Sequence, residues 1–180
     1  MTRVVLAFTA VLFSAAALAQ DGRPYAGLEQ RTVKALSEQQ IGDLRAGRGM
    51  GLALPAELNG YPGPSHVLEN SDALALSPEQ RERTRTLFEA MKAETMPIGE
   101  RLIEQETTLD RLFADRQINL ANLRAATEEI GVTQGRLRQA HLKYHLAMMD
   151  VLTPDQIARY RALRGYEVGH DGARQHQMQH

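Results

Sequence analysis

The sequence contains no cysteine and no tryptophan, and only four of its 180 residues are phenylalanine. Because cysteine is absent, disulfide scaffolds, cysteine-ligated zinc sites and thiolate nucleophiles are all excluded. The scarcity of aromatic residues argues against a base-stacking surface. A formal net charge of −1 gives no electrostatic reason to expect a nucleic-acid partner, so we expect none.

Patterns that mark common active sites are also missing. The sequence has no glycine-rich phosphate loop, no Gly-x-Ser-x-Gly elbow and no His-Glu-x-x-His pair. Nor does it contain the alternation of β-branched residues that is typical of strands. The sequence therefore predicts an all-α protein that is not an enzyme and requires no cofactor.

The first 19 residues have the pattern of a secretory signal peptide. Arg3 and the amino terminus provide positive charge, residues 4–13 form a short apolar run, and Ala17-Leu18-Ala19 matches a small-x-small cleavage site. A membrane-spanning helix needs about 20 apolar residues, so this run is too short to remain as an anchor. We expect a periplasmic product with no membrane span after cleavage, and hence an activity that does not use ATP.

A five-residue pattern, Leu-(Ser/Thr)-x-x-Gln, occurs three times and begins at Leu36, Leu76 and Leu152. Each copy is typical of a helix start, because the hydroxyl caps a free backbone N–H and the glutamine reaches back to complete a capping box. In the two later copies a proline follows the cap, at the first helical position that proline favours. The candidate motif residues of those copies are Leu76, Ser77, Gln80, Leu152, Thr153 and Gln156.

The spacing of apolar residues predicts three helices after the second motif. A helix over 78–114 contains Pro97, which removes a hydrogen bond and predicts a kink. Asn119 caps a return helix to about residue 150, and a short helix over about 154–164 ends at Gly165. The expected architecture is a long kinked helical hairpin with two or more short helices.

The N-terminal part of the chain is expected to be less regular. A short amphipathic helix is predicted over 37–46, followed by a turn-rich stretch over 47–64 and a short helix over 66–74 capped by Ser65. We divide the chain into a signal peptide (1–19), an N-terminal extension (20–64), a helical domain (65–166) and a disordered tail (167–180). Because a hairpin cannot hide both of its apolar stripes, we expect a homodimer through the long helices.

These features resemble the LTxxQ family of periplasmic proteins, which includes Spy-like and CpxP-like members and overlaps the CnrX-like and ZraP-like heavy-metal resistance proteins. The resemblance covers about residues 65–166. The segment 49–69 is not part of the pattern typical of Spy-like or CpxP-like members. It implies a cradle-shaped antiparallel dimer that holds unfolded clients without ATP, and in CpxP-like members a sensor-kinase partner. Spy-like cradles are basic, whereas residues 78–150 contain 11 Lys or Arg and 12 Asp or Glu.

The histidines indicate an alternative function, which is metal binding. His141 and His145 are four residues apart on a predicted helix, so both could reach one ion. A third ligand could come from His66 or Glu69. CnrX-like sensors use a histidine pair on the first short helix, but Asn70 follows His66 here, so a complete site of that kind is not expected.

The C-terminal residues 167–180 add His170, His176 and His180, a composition seen in metal-binding tails. Two functions follow from the sequence. The first is a periplasmic chaperone-like or envelope-stress protein that binds misfolded proteins and a sensor kinase or other envelope regulator. The alternative is a heavy-metal binding or sensing protein that uses His and Met ligands for zinc, nickel or copper.

Overall fold

A computed structural model describes residues 24–166 of the chain. That range contains six α-helices and two short 3-10 helices, Leu28–Gln30 and Met50–Ala53, and it contains no strand beyond a single Val33–Leu36 bridge. The prediction of an all-α fold is therefore confirmed. The α-helices are α1 (Glu38–Arg45), α2 (Leu54–Glu57), α3 (Pro64–Glu69), α4 (Pro78–Ala114), α5 (Leu120–Met148) and α6 (Pro154–Leu163).

The three Leu-(Ser/Thr)-x-x-Gln motifs lie at the starts of α1, α4 and α6, and each forms a capping box. At α4 the Ser77 hydroxyl accepts a hydrogen bond of 3.1 Å from the Gln80 backbone N–H, and the Gln80 side-chain Oε1 accepts one of 3.0 Å from the Ser77 N–H. These bonds satisfy backbone donors that have no partner within the helix.

Helices α4 and α5 form an antiparallel hairpin, joined by the turn at 115–119 and packed along each other. Asn119 begins α5 with its own capping box to Asn122. Helix α4 runs without a break from Pro78 to Ala114 and includes Pro97. The bend expected at Pro97 stays a prediction, as does the homodimer.

The chain before α4 folds back onto the hairpin. Helix α1 packs on α4, and the 3-10 helix Met50–Ala53 packs on α5. Apolar residues of this N-terminal segment and of the middle of the hairpin form one core cluster. Its members are Val33, Leu36, Ile41, Leu44, Leu102, Ile103, Ile130 and Leu137. A second cluster lies where α3, α6 and the hairpin ends meet, and consists of Val67, Leu74, Leu76, Met148, Val151, Leu152 and Tyr160.

The second and third motifs are bonded to each other. The Gln80 and Gln156 side-chain amides pair reciprocally, with N···O distances of 2.8 and 2.9 Å. Gln80 also donates to the Val151 carbonyl, and Gln156 donates to the Leu74 carbonyl. The two glutamines of the second and third motifs therefore cap their own helices and also join the start of α6 to the start of α4.

The short helix predicted over 66–74 is corrected by the structure. Helix α3 begins at Pro64, with Gly63 as its N-cap, and ends at Glu69, and a turn follows. Proline is favoured at the first helical position, which moves the start upstream of Ser65. The Asn70 side chain donates to the His66 carbonyl at 2.7 Å, satisfying a group of the last turn and ending the helix.

The hairpin tip, residues 104–129, contains no buried residue, although its sequence continues the apolar spacing. Leu120 is 86% exposed, and Phe113 is 54% exposed. Within the described range, no helix combines the length and apolar character needed to cross a membrane. The predicted signal peptide (1–19) and tail (167–180) lie outside the described residues.

Candidate metal centre

His141 and His145 lie one turn apart on α5, and both are buried, at 1% and 4% exposure. Residues four apart on a helix share a face, so the two imidazoles face the same side of α5. That side is covered by the segment between α1 and α3, which the sequence shows only as a turn-rich stretch. The two residues that the sequence singled out as a chelating pair are thus brought together inside the protein.

Both histidines line a partly open cavity of about 200 Å³. Its walls come from the 3-10 helix Met50–Ala53, from α2, α3, α4 and α5, and from the end of the described chain at Arg164 and Tyr166. The side chains with donor atoms for a metal are His66, His141, His145, Glu57, Met50 and Met91.

His145 is held in one orientation. Its Nδ1 lies 2.8 Å from the Tyr61 carbonyl oxygen. Because a carbonyl can only accept, Nδ1 carries the proton, and Nε2 of the neutral ring keeps its lone pair. A Cβ at Gly63 would lie 2.7 Å from the His145 ring, so glycine is required for the chain to pass this close.

His141 has an unsatisfied ring nitrogen. Its Nε2 is buried and has no hydrogen-bond partner, a situation that costs about 1–3 kcal/mol in a protein interior. Burial, and to a smaller extent the neighbouring His145, lowers the His141 pKa to about 4. The ring is therefore neutral at physiological pH, which is the form of histidine that binds metals.

Glu57 has both carboxylate oxygens occupied. One accepts from the Gly63 N–H at 3.1 Å and the other from the Tyr160 hydroxyl at 2.7 Å. Burial and the hydrogen bond to Glu57 raise the pKa of Tyr160 well above its usual range, so the phenol remains a donor. The carboxylate is 3.9 Å from the His145 Nδ1, too far for a hydrogen bond.

The predicted third ligands lie at the rim. His66 lines the cavity, and its Nδ1 is 3.0 Å from the Glu69 carboxylate. That hydrogen bond is the main cause of a lowered Glu69 pKa. Among the described residues, however, no three His, Cys, Asp or Glu side chains come close enough together to hold a metal ion. His170, His176 and His180 lie outside the described residues.

The buried imidazoles fit a metal ion, since one has an orphaned nitrogen and the other a free lone pair, but they provide two ligands rather than a closed set. The sequence did not single out Met50, Met91 or Glu57 as site residues. No local pattern marks these three residues, because they reach the cavity only through packing across the chain.

The structure is a small helical protein with a cavity lined by imidazole and thioether side chains. The chain belongs to the heavy-metal resistance family, whose model matches residues 3–159. This is the group whose CnrX-like and ZraP-like members the motifs resemble. The match includes residues 49–69, which the sequence resemblance had left out. No curated protein and no solved structure matches the chain.

Proposed function

We propose that this protein binds a heavy-metal ion in the periplasm through His141 and His145 and thereby buffers or reports the metal. The observation that carries the proposal is the buried, unpartnered Nε2 of His141, one turn from His145 in the same cavity. Membership of a heavy-metal resistance family gives independent support.

The residues around the cavity have separate roles in this proposal. The Tyr61 carbonyl holds the His145 Nδ1–H and leaves Nε2 as the nitrogen able to bind a metal. Burial keeps the His141 ring neutral, so no proton must leave that ring before binding. A bound ion would accept electron pairs from the two imidazoles. Because the walls come from α2 to α5 and from Arg164 and Tyr166 after α6, occupancy would stabilise the packing of the N-terminal segment and of the chain after α6 on the hairpin.

The test is metal affinity, measured by competition with chromophoric chelators. A His141→Gln, His145→Gln double variant is expected to lose at least tenfold in affinity for its preferred ion, whereas Lys143→Gln on the same helix is expected to keep it. A second variant, with His170, His176 and His180 all changed to glutamine, separates the tail from the cavity. Full affinity in the cavity variant would contradict the proposal.

The periplasmic location depends on the predicted signal peptide. Fractionation of cells that express the full chain should place the protein with periplasmic markers, and its amino terminus should begin at Gln20. A protein that keeps Met1 and remains with cytoplasmic markers would contradict this part of the proposal.

Client binding is a second candidate function, favoured by the hairpin tip. Residues 104–129 continue the apolar spacing, yet none of them is buried, and only Leu109 packs against the first core cluster. We propose that this face holds apolar segments of unfolded proteins. Light scattering of a denatured client, with chelator and with one equivalent of zinc, tests this, and suppression of aggregation is expected. No suppression, together with a dimer through the tip in sedimentation of the protein alone, would contradict it.

A further inference from the structure

We infer that the cavity selects a soft, singly charged cation such as Cu⁺ over Zn²⁺ and Ni²⁺, with the thioethers of Met50 and Met91 as ligands beside His141 and His145. This inference rests on the proposed function and names the class of metal for the same site. It follows from the donor atoms that line the cavity, from where those donors lie, and from the charge around them.

The donor atoms are the first argument. Zinc sites in proteins usually have three or four His, Cys, Asp or Glu ligands. In residues 24–166 no three such side chains converge, and both oxygens of the buried Glu57 already accept hydrogen bonds. His66 also lines the cavity, but it does not converge with the two buried imidazoles on one point. Beside His141 and His145, the sulfur donors in the wall are the thioethers of Met50 and Met91. Thioether sulfur favours Cu⁺, and imidazole tolerates it.

The positions of the methionines are the second argument. Met91 is 6% exposed on α4, across the cavity from the histidines of α5. Met50 is 37% exposed, in the loop that also contains Gly49. A Cβ at Gly49 would lie 3.5 Å from the His141 Nδ1, so this loop passes directly over the imidazole. One thioether is thus internal, and the other lies at the entrance.

The backbone of Met50 is unusual. Its φ of +46° is in the left-handed region, which side chains other than glycine and asparagine rarely adopt. Such residues persist where the surrounding structure fixes them, and they concentrate at ligand sites. A methionine in this conformation at the entrance of a histidine cavity is therefore consistent with a ligand role.

The charge balance is the third argument. The Glu57 carboxylate and the Arg164 guanidinium both line the cavity, so their charges oppose each other. Glu69, which contacts His66, is not among the residues that line the cavity. A divalent ion would bring two positive charges into a buried space without net negative charge to balance them, and a monovalent ion brings only one. The cavity is therefore less unfavourable for Cu⁺ than for a divalent ion.

The test compares Cu⁺ and Zn²⁺ affinities of the full mature chain, with the tail histidines changed to glutamine and Met178 to leucine. Cu⁺ is presented anaerobically with ascorbate and bicinchoninate as competitor, and Zn²⁺ with a chromophoric chelator. We expect Cu⁺ to bind at least 100-fold more tightly than Zn²⁺. X-ray absorption at the copper edge should show sulfur as well as nitrogen neighbours.

Matched methionine variants locate the sulfur ligands. Met91→Leu and Met50→Leu are each expected to weaken Cu⁺ binding at least tenfold and to leave Zn²⁺ binding within a factor of two. The control for Met91 is Met148→Leu, fully buried in the second core cluster, and the control for Met50 is Met96→Leu, at 38% exposure. Both controls should keep wild-type affinity, and circular dichroism confirms folding of each variant.

The outcomes separate this inference from the proposed function. If Zn²⁺ or Ni²⁺ binds as tightly as Cu⁺ and binding requires His141 and His145, the inference is wrong and the proposed function stands. Unchanged Cu⁺ affinity in both methionine variants, or an absorption spectrum without sulfur, likewise overturns the inference alone. If no metal binds through the two histidines, both fail.

Discussion

The two ends of the hairpin are built from similar helical sequence but differ in how they are covered. At the base, residues 78–103 of α4 and 130–148 of α5 bury their apolar stripes under α1, α3 and the N-terminal segment. The tip, residues 104–129, buries no side chain fully. Apolar spacing alone therefore does not produce a core, because burial also needs an element of the chain that reaches the stripe.

The ends also differ in chemistry. The glutamine pair, the histidine cavity and the buried Glu57–Tyr160 hydrogen bond all lie toward the base. The tip contains exposed ion pairs such as Arg124 with Glu128, and pairs of this kind contribute only a few tenths of a kcal/mol. The base is where specific contacts define structure and candidate function, and the tip is free to contact another molecule.

The largest expected effect compares one leucine from each end. Leu102 is 5% exposed in the first core cluster, and Leu102→Ala should lower the free energy of unfolding by about 3 kcal/mol, since it leaves a cavity. Leu120 is 86% exposed, and Leu120→Ala should change that free energy by less than about 0.5 kcal/mol. Urea denaturation of both variants at low protein concentration measures the difference. A loss above 1 kcal/mol at Leu120 would show that the tip is covered.

The pH dependence of stability should come from the base of the hairpin, through His141. The His141 pKa is about 4 in the folded protein and near 6.5 in the unfolded chain. As pH falls from 6.5 toward 4, the unfolded state takes up a proton that the folded state does not. The free energy of unfolding should therefore fall by up to about 3 kcal/mol as pH drops through this window. Above pH 6.5 the contribution of the neutral His141 should be fully present.

Chemical denaturation between pH 4.5 and 7.5, with chelator present, measures this dependence. His141→Gln should flatten the slope between pH 4.5 and 6.5, and the rim variant His66→Gln should retain it. An unchanged slope in His141→Gln would mean that another group is responsible.

The next comparison uses two copies of the same motif. Gln80→Ala removes a cap and the bonds to Gln156 and to the Val151 carbonyl, so we expect a loss of about 2–3 kcal/mol. Gln40→Ala removes the corresponding cap at α1, where the described residues show no cross-motif bond, and should cost about 1 kcal/mol. Thermal unfolding of both variants measures the difference. Equal losses would show that the glutamine pair adds nothing to the caps.

Local features of the fold could be predicted from the sequence. The starts of α1, α4, α5 and α6 follow from a cap residue and its partner three positions later, a relation contained in four consecutive residues. The predicted start of α3 was wrong because Ser65 has the chemistry of a cap, whereas the helix begins two residues earlier than expected, at Pro64.

The site could be predicted only in part. The pair His141 and His145 was visible because their spacing matches the helical repeat. The bond from His145 to the Tyr61 carbonyl joins residues 84 positions apart, and the Gln80–Gln156 pair joins residues 76 apart. Contacts over such separations depend on packing of the whole chain, and the same holds for Met50, Met91 and Glu57 at the cavity.

The smallest expected changes in the free energy of unfolding come from alanine substitutions at two helical glycines, and they should have opposite signs. A Cβ at Gly99 would lie 2.6 Å from the Leu44 carbonyl oxygen, because α1 approaches α4 there. Gly99→Ala must push α1 outward and should destabilise the protein by about 2 kcal/mol. Gly131, on α5 next to the tip, has nothing within 4 Å of such a Cβ. Gly131→Ala should stabilise by about 0.5–1 kcal/mol, because alanine favours the helix.

Urea denaturation of the two alanine variants measures these signs, with Gly135→Ala, also open on α5, as a second control. Stabilisation at both positions of α5 together with destabilisation at Gly99 would show that glycine is needed for close packing only toward the base. If Gly131→Ala destabilises, a surface absent from the single chain must press on α5 there. Because a homodimer through the long helices would provide that surface, the loss should then disappear when the protein is diluted below its dimer dissociation constant.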